Sequence, residues 1–163
     1  AFVRHILSAY EYDIQVRGDM VERLPEEGIK VQVYEKEDGV IYERNGIKVS
    51  AFPVDHRPFV PAIGYRFDGE GKSIVISGDT KPSESVVKMS KGVDVLIHEA
   101  YQERYQAERA KRSPVFAARR EALQRYHTST VEAARIAAEA NVKKLALTHL
   151  MPDPGGNEDD YIR

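Results

Sequence analysis

Residues 93–99 read Val-Asp-Val-Leu-Ile-His-Glu, and this stretch decides the fold. Residues 93–97 form a short, nearly continuous apolar run, which predicts a strand that is covered on both faces. Leu145-Ala146-Leu147 predicts a second buried strand, and the residues between the two runs have helical character. This strand–helix–strand order predicts an α/β fold with helices packed on the sheet.

The residues before this stretch have the pattern of an antiparallel meander. Asp38-Gly39 and Asn45-Gly46 are strong turn signals, and apolar residues alternate with polar ones on either side of them. The predicted strands are 29–36, 40–42, 47–54, 65–68 and 73–77. An antiparallel meander followed by buried strands predicts a mixed sheet.

Several stretches carry helix signals. Phe2, Ile6 and Tyr10 are four residues apart, which predicts an amphipathic helix. Residues 101–126 predict further helix with a break at Ser113-Pro114, and Ser129-Thr130-Val131-Glu132 is a capping box that opens another. The residues predicted to be buried on that last helix are Thr130, Ala133, Ala134, Ala137 and Ala138.

Length and composition restrict the class of protein. The 163 residues suffice for one core, and the net charge of −2 gives no overall attraction to nucleic acid or to an anionic membrane. The absence of cysteine excludes disulfides and thiolate metal ligands, and it fits a reducing compartment such as the cytoplasm. No apolar run reaches the roughly 18 residues that a membrane span needs. Because the chain begins directly in a helix pattern at Ala1, we expect residues 1–163 to be part of a longer protein, in which an upstream signal peptide stays possible.

Ionisable residues cluster where the predicted strands end, which is where open α/β sheets bind ligands. Imidazole and carboxylate groups suit a cation such as zinc, and a carboxylate can bridge two cations. Two cations about 3.5–4 Å apart can activate a water molecule for hydrolysis. The residues in such positions are Asp55, His56, Asp79, His98, Glu99, His127 and His149.

Each of these residues also has a purely structural interpretation. Asp79 can cap the turn that follows it, and Glu99 can cap the next helix. His149 can bond a neighbouring carbonyl, and His127 can be a solvated residue before the capping box. Taken together, the residues favour a metal site without identifying an enzyme.

Four motifs in order resemble the C-terminal half of metallo-β-lactamase-fold hydrolases, and within them the ribonuclease Z-like branch. The resemblance covers residues 47–151. Its motifs are Val54-Asp55-His56 followed by Gly64-Tyr65-Arg66-Phe67, then Ser77-Gly78-Asp79-Thr80, then Ile97-His98-Glu99-Ala100 paired with His127-Thr128-Ser129-Thr130, and finally Leu147-Thr148-His149.

The resemblance implies the C-terminal half of an αββα sandwich that holds two divalent metal ions, zinc or another first-row metal. The metal ligands that it implies are His56, Asp79 and His149. It also implies that Glu99 and His127 form a proton-transfer pair beside the metals. The same motifs imply a structural role for His98 and a role for Thr80 in orienting Asp79 from behind.

The sequence departs from the family pattern in two places. The His-x-His-x-Asp-His segment of the family, which supplies the other metal ligands, is not in this chain, so we expect this chain by itself to bind metal poorly and to be inactive. Only residues 57–78 separate His56 from Asp79, where bacterial ribonuclease Z has a long arm that grips tRNA. Nucleic acid is therefore the less favoured substrate, although the basic helical insert 101–126 has a local charge of +4 that would suit phosphates. A solvated helical face explains the same charges more simply.

Three hypotheses follow for function. The first is a metal-dependent hydrolase that cleaves an ester-type bond: a phosphodiester, lactam, lactone or sulfate ester, with ribonuclease Z-like RNA processing as one variant. The second is a non-catalytic binding domain that uses the 101–126 insert for contact. The third is a half-domain that completes its site by forming a homo-oligomer or by pairing with another chain.

Overall fold

A computed structural model describes residues 2–23, 25–36 and 38–151 of the chain. The chain divides into two compact units, residues 1–35 and residues 36–163. In the part that the structure describes, no helix is both long and apolar enough to cross a membrane.

The first unit is helical. Its α1 helix confirms the amphipathic prediction, but the predicted strand 29–36 is wrong: the described residues 30–36 have irregular backbone. Val31 and Val33 alternate as strand residues do, yet both are exposed, and among the described residues no strand pairs with this segment. The elements of this unit are α1 (Phe2–Ala9), α2 (Glu11–Gln15), a π-helical turn (Val16–Val21) and a 3₁₀ turn (Glu26–Ile29).

The second unit is built on a six-stranded mixed sheet, which confirms the predicted α/β class. The strands are hydrogen-bonded in chain order. The first four form an antiparallel meander, and the fourth, fifth and sixth are parallel to one another. Their bounds are β1 (Gly39–Arg44), β2 (Ile47–Pro53), β3 (Ile63–Gly69), β4 (Lys72–Ile76), β5 (Val95–Tyr101) and β6 (Leu145–Met151).

The first hairpin shows how the local sequence sets the strand register. Asn45 and Gly46 have φ angles of 54° and 76°, as a two-residue turn of type I′ requires at both positions. The turn pairs Arg44 with Ile47, so that the strands leave it with the right-handed twist of the sheet. The turn prediction at Asn45-Gly46 is therefore confirmed.

Four helices connect the parallel strands. The capping box of the last one is confirmed, because Ser129 N donates to Glu132 Oε2 over 2.9 Å and Glu132 N donates to Ser129 Oγ over 3.2 Å. Its predicted buried face is partly wrong: Ala134 and Ala138 are exposed, whereas Ile136 is buried. Ile136 packs in the core together with Ala137, so the buried face of the helix is the one that carries these two residues. The helices are α3 (Glu84–Met89), α4 (Glu103–Ala110), α5 (Pro114–Tyr126) and α6 (Thr130–Glu139).

The two faces of the sheet differ in burial. The face under α3 and α6 carries the core, whose members include Phe52, Val75 and Leu96. On the opposite face Ile47, Tyr65 and Ile74 are between 36% and 47% exposed. Residues 95 and 97, the neighbours of Leu96, are only half-buried, so the prediction that this strand is covered on both faces is wrong for the second face.

Candidate metal centre

Three residues that are distant in sequence meet where the parallel strands end. Asp79 follows β4, His149 lies near the end of β6, and His127 lies between α5 and α6. Each of them offers a ligand atom, and these atoms all lie within 4.8 Å of one another. Asp79 Oδ2 and His149 Nε2 are 3.4 Å apart, with both side chains nearly half exposed. The sequence analysis named all three residues, and the structure brings them together.

The spacing and chemistry of these atoms fit a cation of the zinc type. Two ligands on a tetrahedral metal, each about 2.0–2.2 Å from it, lie roughly 3.3–3.6 Å apart, and the Asp79–His149 distance of 3.4 Å falls in that range. The donors are one carboxylate and two imidazoles, a common ligand set for zinc. This group of residues is therefore able to hold a divalent metal.

The loop that presents Asp79 depends on a glycine. Gly78 has a φ of +64°, and a Cβ at this position would lie 2.4 Å from the carbonyl oxygen of Ile63. Only glycine satisfies both constraints at once. The close approach of Gly78 to β3 thereby fixes the position of the backbone that carries Asp79.

His56 lies beside this group but outside it. Its Nδ1 is 2.8 Å from the backbone oxygen of Tyr126, which leaves Nε2 as the ring nitrogen available to a metal. Its ring stacks on Phe59 and lies 4.8 Å, centroid to centroid, from the ring of His127. The ligand set expected from the sequence contained His56, whereas the close group contains His127 in its place.

Asp55, the neighbour of His56, forms ion pairs with two cationic side chains of this chain. Its carboxylate bonds Arg57, and Lys81 Nζ lies 3.1 Å away. The hydrogen bond from Arg57, helped by that from Lys81, holds the pKa of Asp55 far below its usual range. Asp55 therefore fastens the loop that carries His56, which identifies it as a structural member of the site.

Glu99 and His127 form the pair that the sequence analysis expected. Glu99 Oε1 lies 3.1 Å from Nδ1 of His127, and both side chains are buried. The same oxygen accepts from the backbone N–H groups of Thr80, at 3.0 Å, and Thr128, at 3.2 Å. An ionised carboxylate in this position keeps the proton of His127 on Nδ1 and leaves Nε2 available to react or to bind.

Thr80 was expected to orient the Asp79 carboxylate, but its side chain bonds backbone groups of Lys81 and Asp55 instead. Its Oγ1 donates to the carbonyl of Lys81 over 2.7 Å and accepts from Asp55 N over 3.1 Å. Thr80 thus positions the loops on either side of Asp79 through their backbones.

Sequence reasoning missed the importance of Thr128. Its Oγ1 donates to the carbonyl of Thr80 over 2.6 Å, in fully buried surroundings. This bond joins the loop that carries Asp79 to the loop that carries His127. The hydroxyl directly after His127 was the available signal, but its partner lies 48 residues away and only the fold reveals it.

His98 lies in the core, in agreement with its expected structural role. It is fully buried, and its Nδ1 donates to the carbonyl of Glu99 over 2.7 Å. Burial lowers the pKa of His98, so its ring is neutral near pH 7. His98 therefore helps to fix the backbone that carries Glu99.

Comparison with known proteins matches this arrangement to one family. The family model described as "Beta-lactamase superfamily domain" matches residues 9–150. The chain is 30% identical to ribonuclease Z of Mycobacterium tuberculosis over 165 residues and 33% identical to ribonuclease Z of Mycolicibacterium gilvum over 167 residues. These matches cover 99% and 98% of the chain but 56% and 54% of the relatives, so the chain spans about half of their length.

A solved structure of human tRNase Z, short form, is also similar. It superposes with a TM-score of 0.52 at 28% identity, covering 70% of this chain and 39% of the human one. The likeness therefore extends from the motifs to the fold that carries them.

Proposed function

This chain belongs to the β-lactamase superfamily, in its metallo-β-lactamase hydrolase branch, and from that premise we propose that the complete protein cleaves phosphodiester bonds in RNA with the help of bound metal. The observation that carries the proposal is the group formed by Asp79, His127 and His149, with Glu99 behind His127. The 30–33% identity to proteins named ribonuclease Z supports RNA over the other ester-type substrates that the sequence left open. The intact group also disfavours the non-catalytic binding domain.

We propose that the cofactor is two divalent ions, most simply zinc, held by Asp79 and His149 with His56 on one side. When bound, such ions polarise a phosphoryl oxygen and lower the pKa of a coordinated water. The chain itself contributes the arrangement of the ligands. The carbonyl of Tyr126 fixes the ring of His56, and the glycine turn at Gly78 fixes Asp79.

We propose that His127 gives a proton to the leaving oxygen. Glu99 fixes its tautomer through Nδ1, so that Nε2 carries out the transfer. Two backbone N–H groups hold Glu99 in place. The carboxylate therefore does not need to move while His127 changes its protonation state.

We further propose that residues 1–163 are one part of a larger domain, and that the exposed sheet face is covered in the complete protein. That face carries Ile47, Tyr65 and Ile74, which are costly to leave in water. The chain matches 56% and 54% of the two ribonuclease Z relatives described above, so these relatives have enough further residues for a second layer. The rest of the metal ligands would come from that layer. A homo-oligomer through the same face is the alternative.

The decisive experiment replaces Asp79 by Asn in the complete protein. We expect bound metal to fall and hydrolysis of an RNA substrate to drop by at least about 100-fold, because a direct ligand is lost. Metal content by plasma mass spectrometry and the rate of RNA cleavage measure the two effects. Asp94→Asn, a partly buried aspartate outside the site, is the control. Unchanged metal content and activity in Asp79→Asn would refute the proposal.

A further inference from the structure

The α4–α5 hairpin is anchored next to the candidate metal centre at both of its ends. It begins after β5, the strand that carries Glu99, and it ends at Tyr126, the residue before His127. Tyr101 N donates to the carbonyl of Thr128 over 2.9 Å, and the carbonyl of Tyr126 binds His56. Anything bound along the hairpin is therefore held at a set position relative to the site.

The hairpin is internally braced. Arg120 Nη2 lies 3.5 Å from Glu103 Oε1, which joins α5 to the start of α4. At the other end the guanidinium of Arg109 lies 4.2 Å from the ring centroid of Phe116. With 13 residues in α5, the hairpin extends about 20 Å from its base.

The hairpin is positively charged on an otherwise negative chain. Residues 101–126 contain seven basic and three acidic residues, for a charge of +4, while the whole chain carries −2. The other residues together therefore carry −6. A net positive charge is thus confined to the hairpin, whose two ends lie beside the candidate metal centre.

Not all of this charge is neutralised by neighbours. Lys111 pairs with Glu108 at 2.7 Å, and Arg125 lies 3.7 Å from Glu121. Three exposed arginines form no side-chain hydrogen bond or ion pair with any residue that the structure describes; they are Arg104, Arg112 and Arg119. Arg104 and Arg112 nevertheless lie near Glu108, because together with Lys111, the main cause, they lower the pKa of its carboxyl. The single charge of Glu108 therefore does not neutralise all three cations near it.

We propose that Arg104, Arg112 and Arg119 bind the phosphate backbone of RNA and hold it so that the scissile bond reaches the candidate metal centre. This inference rests on the proposed function and names the surface that recognises the substrate. Guanidinium groups bind phosphates through paired hydrogen bonds, and arginines that form no side-chain hydrogen bond or ion pair do so without first breaking one. The β3–β4 hairpin turns over only two residues between Gly69 and Lys72, and this turn lies at the end of the sheet opposite the site. It offers no comparable surface.

The test compares two triple variants of the complete protein with equal loss of charge. The first is Arg104→Gln, Arg112→Gln and Arg119→Gln. The second, on α3, the loop after it and α6, is Lys88→Gln, Lys91→Gln and Arg135→Gln, three exposed cations outside the hairpin. Each protein is assayed with a transfer RNA transcript and with bis(p-nitrophenyl) phosphate, a small phosphodiester that is too short to reach the hairpin.

For the hairpin variant we expect the KM for RNA to rise about tenfold or more, while kcat/KM for the small phosphodiester stays within about twofold of the unmodified protein. The plot of log KM for RNA against log salt should lose about 2 from its slope, since each phosphate contact on a single strand contributes roughly 0.7. The control variant should retain the original KM and slope.

Every other result decides against the inference or against its premise. Unchanged RNA kinetics and salt slope in the hairpin variant overturn the inference and leave the proposed function intact. An equal loss of activity on both substrates also overturns the inference, because it would mean that the arginines maintain the fold. If the unmodified protein cleaves neither substrate, the proposed function fails. RNA binding by fluorescence anisotropy then decides the inference separately: loss of binding in the hairpin variant alone supports it, and equal binding by all three proteins overturns it.

Discussion

An acidic residue lies at each end of the parallel strands, and the two differ in the groups that contact their carboxylates. At the amino ends, Asp94 accepts from Lys143 Nζ over 2.8 Å and from Ser73 N over 2.9 Å, so its carboxylate is satisfied by this chain. At the carboxyl ends, Asp79 has His149 at 3.4 Å, and both are nearly half exposed. The same residue type is structural at one end and available to a ligand at the other. The feature that distinguishes the candidate ligand Asp79 from Asp94 is a carboxylate that is not held by a lysine and a backbone N–H of this chain.

The carboxyl end is itself divided into a buried part and an open part. Glu99 is 1% exposed and accepts three hydrogen bonds, while His149 beside it is 47% exposed. We infer that the buried part sets the geometry and that the open part binds the ligand. The following predictions test that division.

The largest effect on stability should come from Glu99→Ala. It leaves the N–H groups of Thr80 and Thr128 buried without an acceptor, so we expect the free energy of unfolding to fall by about 3 kcal/mol. Urea denaturation of the complete protein measures it. Glu99→Gln keeps an acceptor oxygen in place and should cost roughly 1 kcal/mol. Equal losses for the two variants would show that the hydrogen bonds to Glu99 do not hold the site together.

A smaller effect is expected from Thr128→Val, which removes the bond to the carbonyl of Thr80 and keeps the shape of the side chain. We expect a loss of about 1–2 kcal/mol, since a buried acceptor loses its partner. Thr128→Ser keeps the hydroxyl and should recover most of that loss. If Ser and Val at this position are equally destabilising, the methyl group matters and the bond does not.

At the amino ends of the strands, the stability that Asp94 contributes should be lost at low pH. The hydrogen bond from Lys143, with that from Ser73 N, lowers the pKa of Asp94 to about 2. A carboxyl with a depressed pKa stabilises the fold fully above its unfolded pKa of about 3.9 and stops doing so as the pH falls through 2. Asp94→Asn should therefore lose less stability than the unmodified protein between pH 5 and pH 2. Parallel Tm curves over that range would contradict this account.

The smallest effect on stability is expected at the open part of the site. His149→Ala should change the free energy of unfolding of the metal-free protein by less than about 0.5 kcal/mol, because the side chain is half exposed and its contact with Asp79 lies in solvent. The same variant should lose metal and activity. Calorimetry of the metal-free and metal-loaded protein separates the two effects, and a large loss without metal would make His149 a structural residue.

Much of the fold was predictable where local interactions dominate. The Asn45-Gly46 turn and the Ser129 capping box need only a few neighbouring residues, and both were identified. The wrong strand at 29–36 and the wrong buried face of α6 arose where a local pattern depends on a partner elsewhere in the chain. An alternating segment becomes a strand only beside another strand, and Ile136 overrides the small alanines only because a core lies beneath it.

By itself the sequence determined the order of strands and helices along the chain, the turns, the helix starts and the residues capable of metal chemistry. Each of these features depends on groups that are close together in the sequence. Only the tertiary structure decided that His127 joins Asp79 and His149, that Thr128 ties two loops together, and that one sheet face stays exposed. These features depend on contacts between residues tens of positions apart. Such contacts form only when burial of the shared core offsets the entropy of ordering the chain between them.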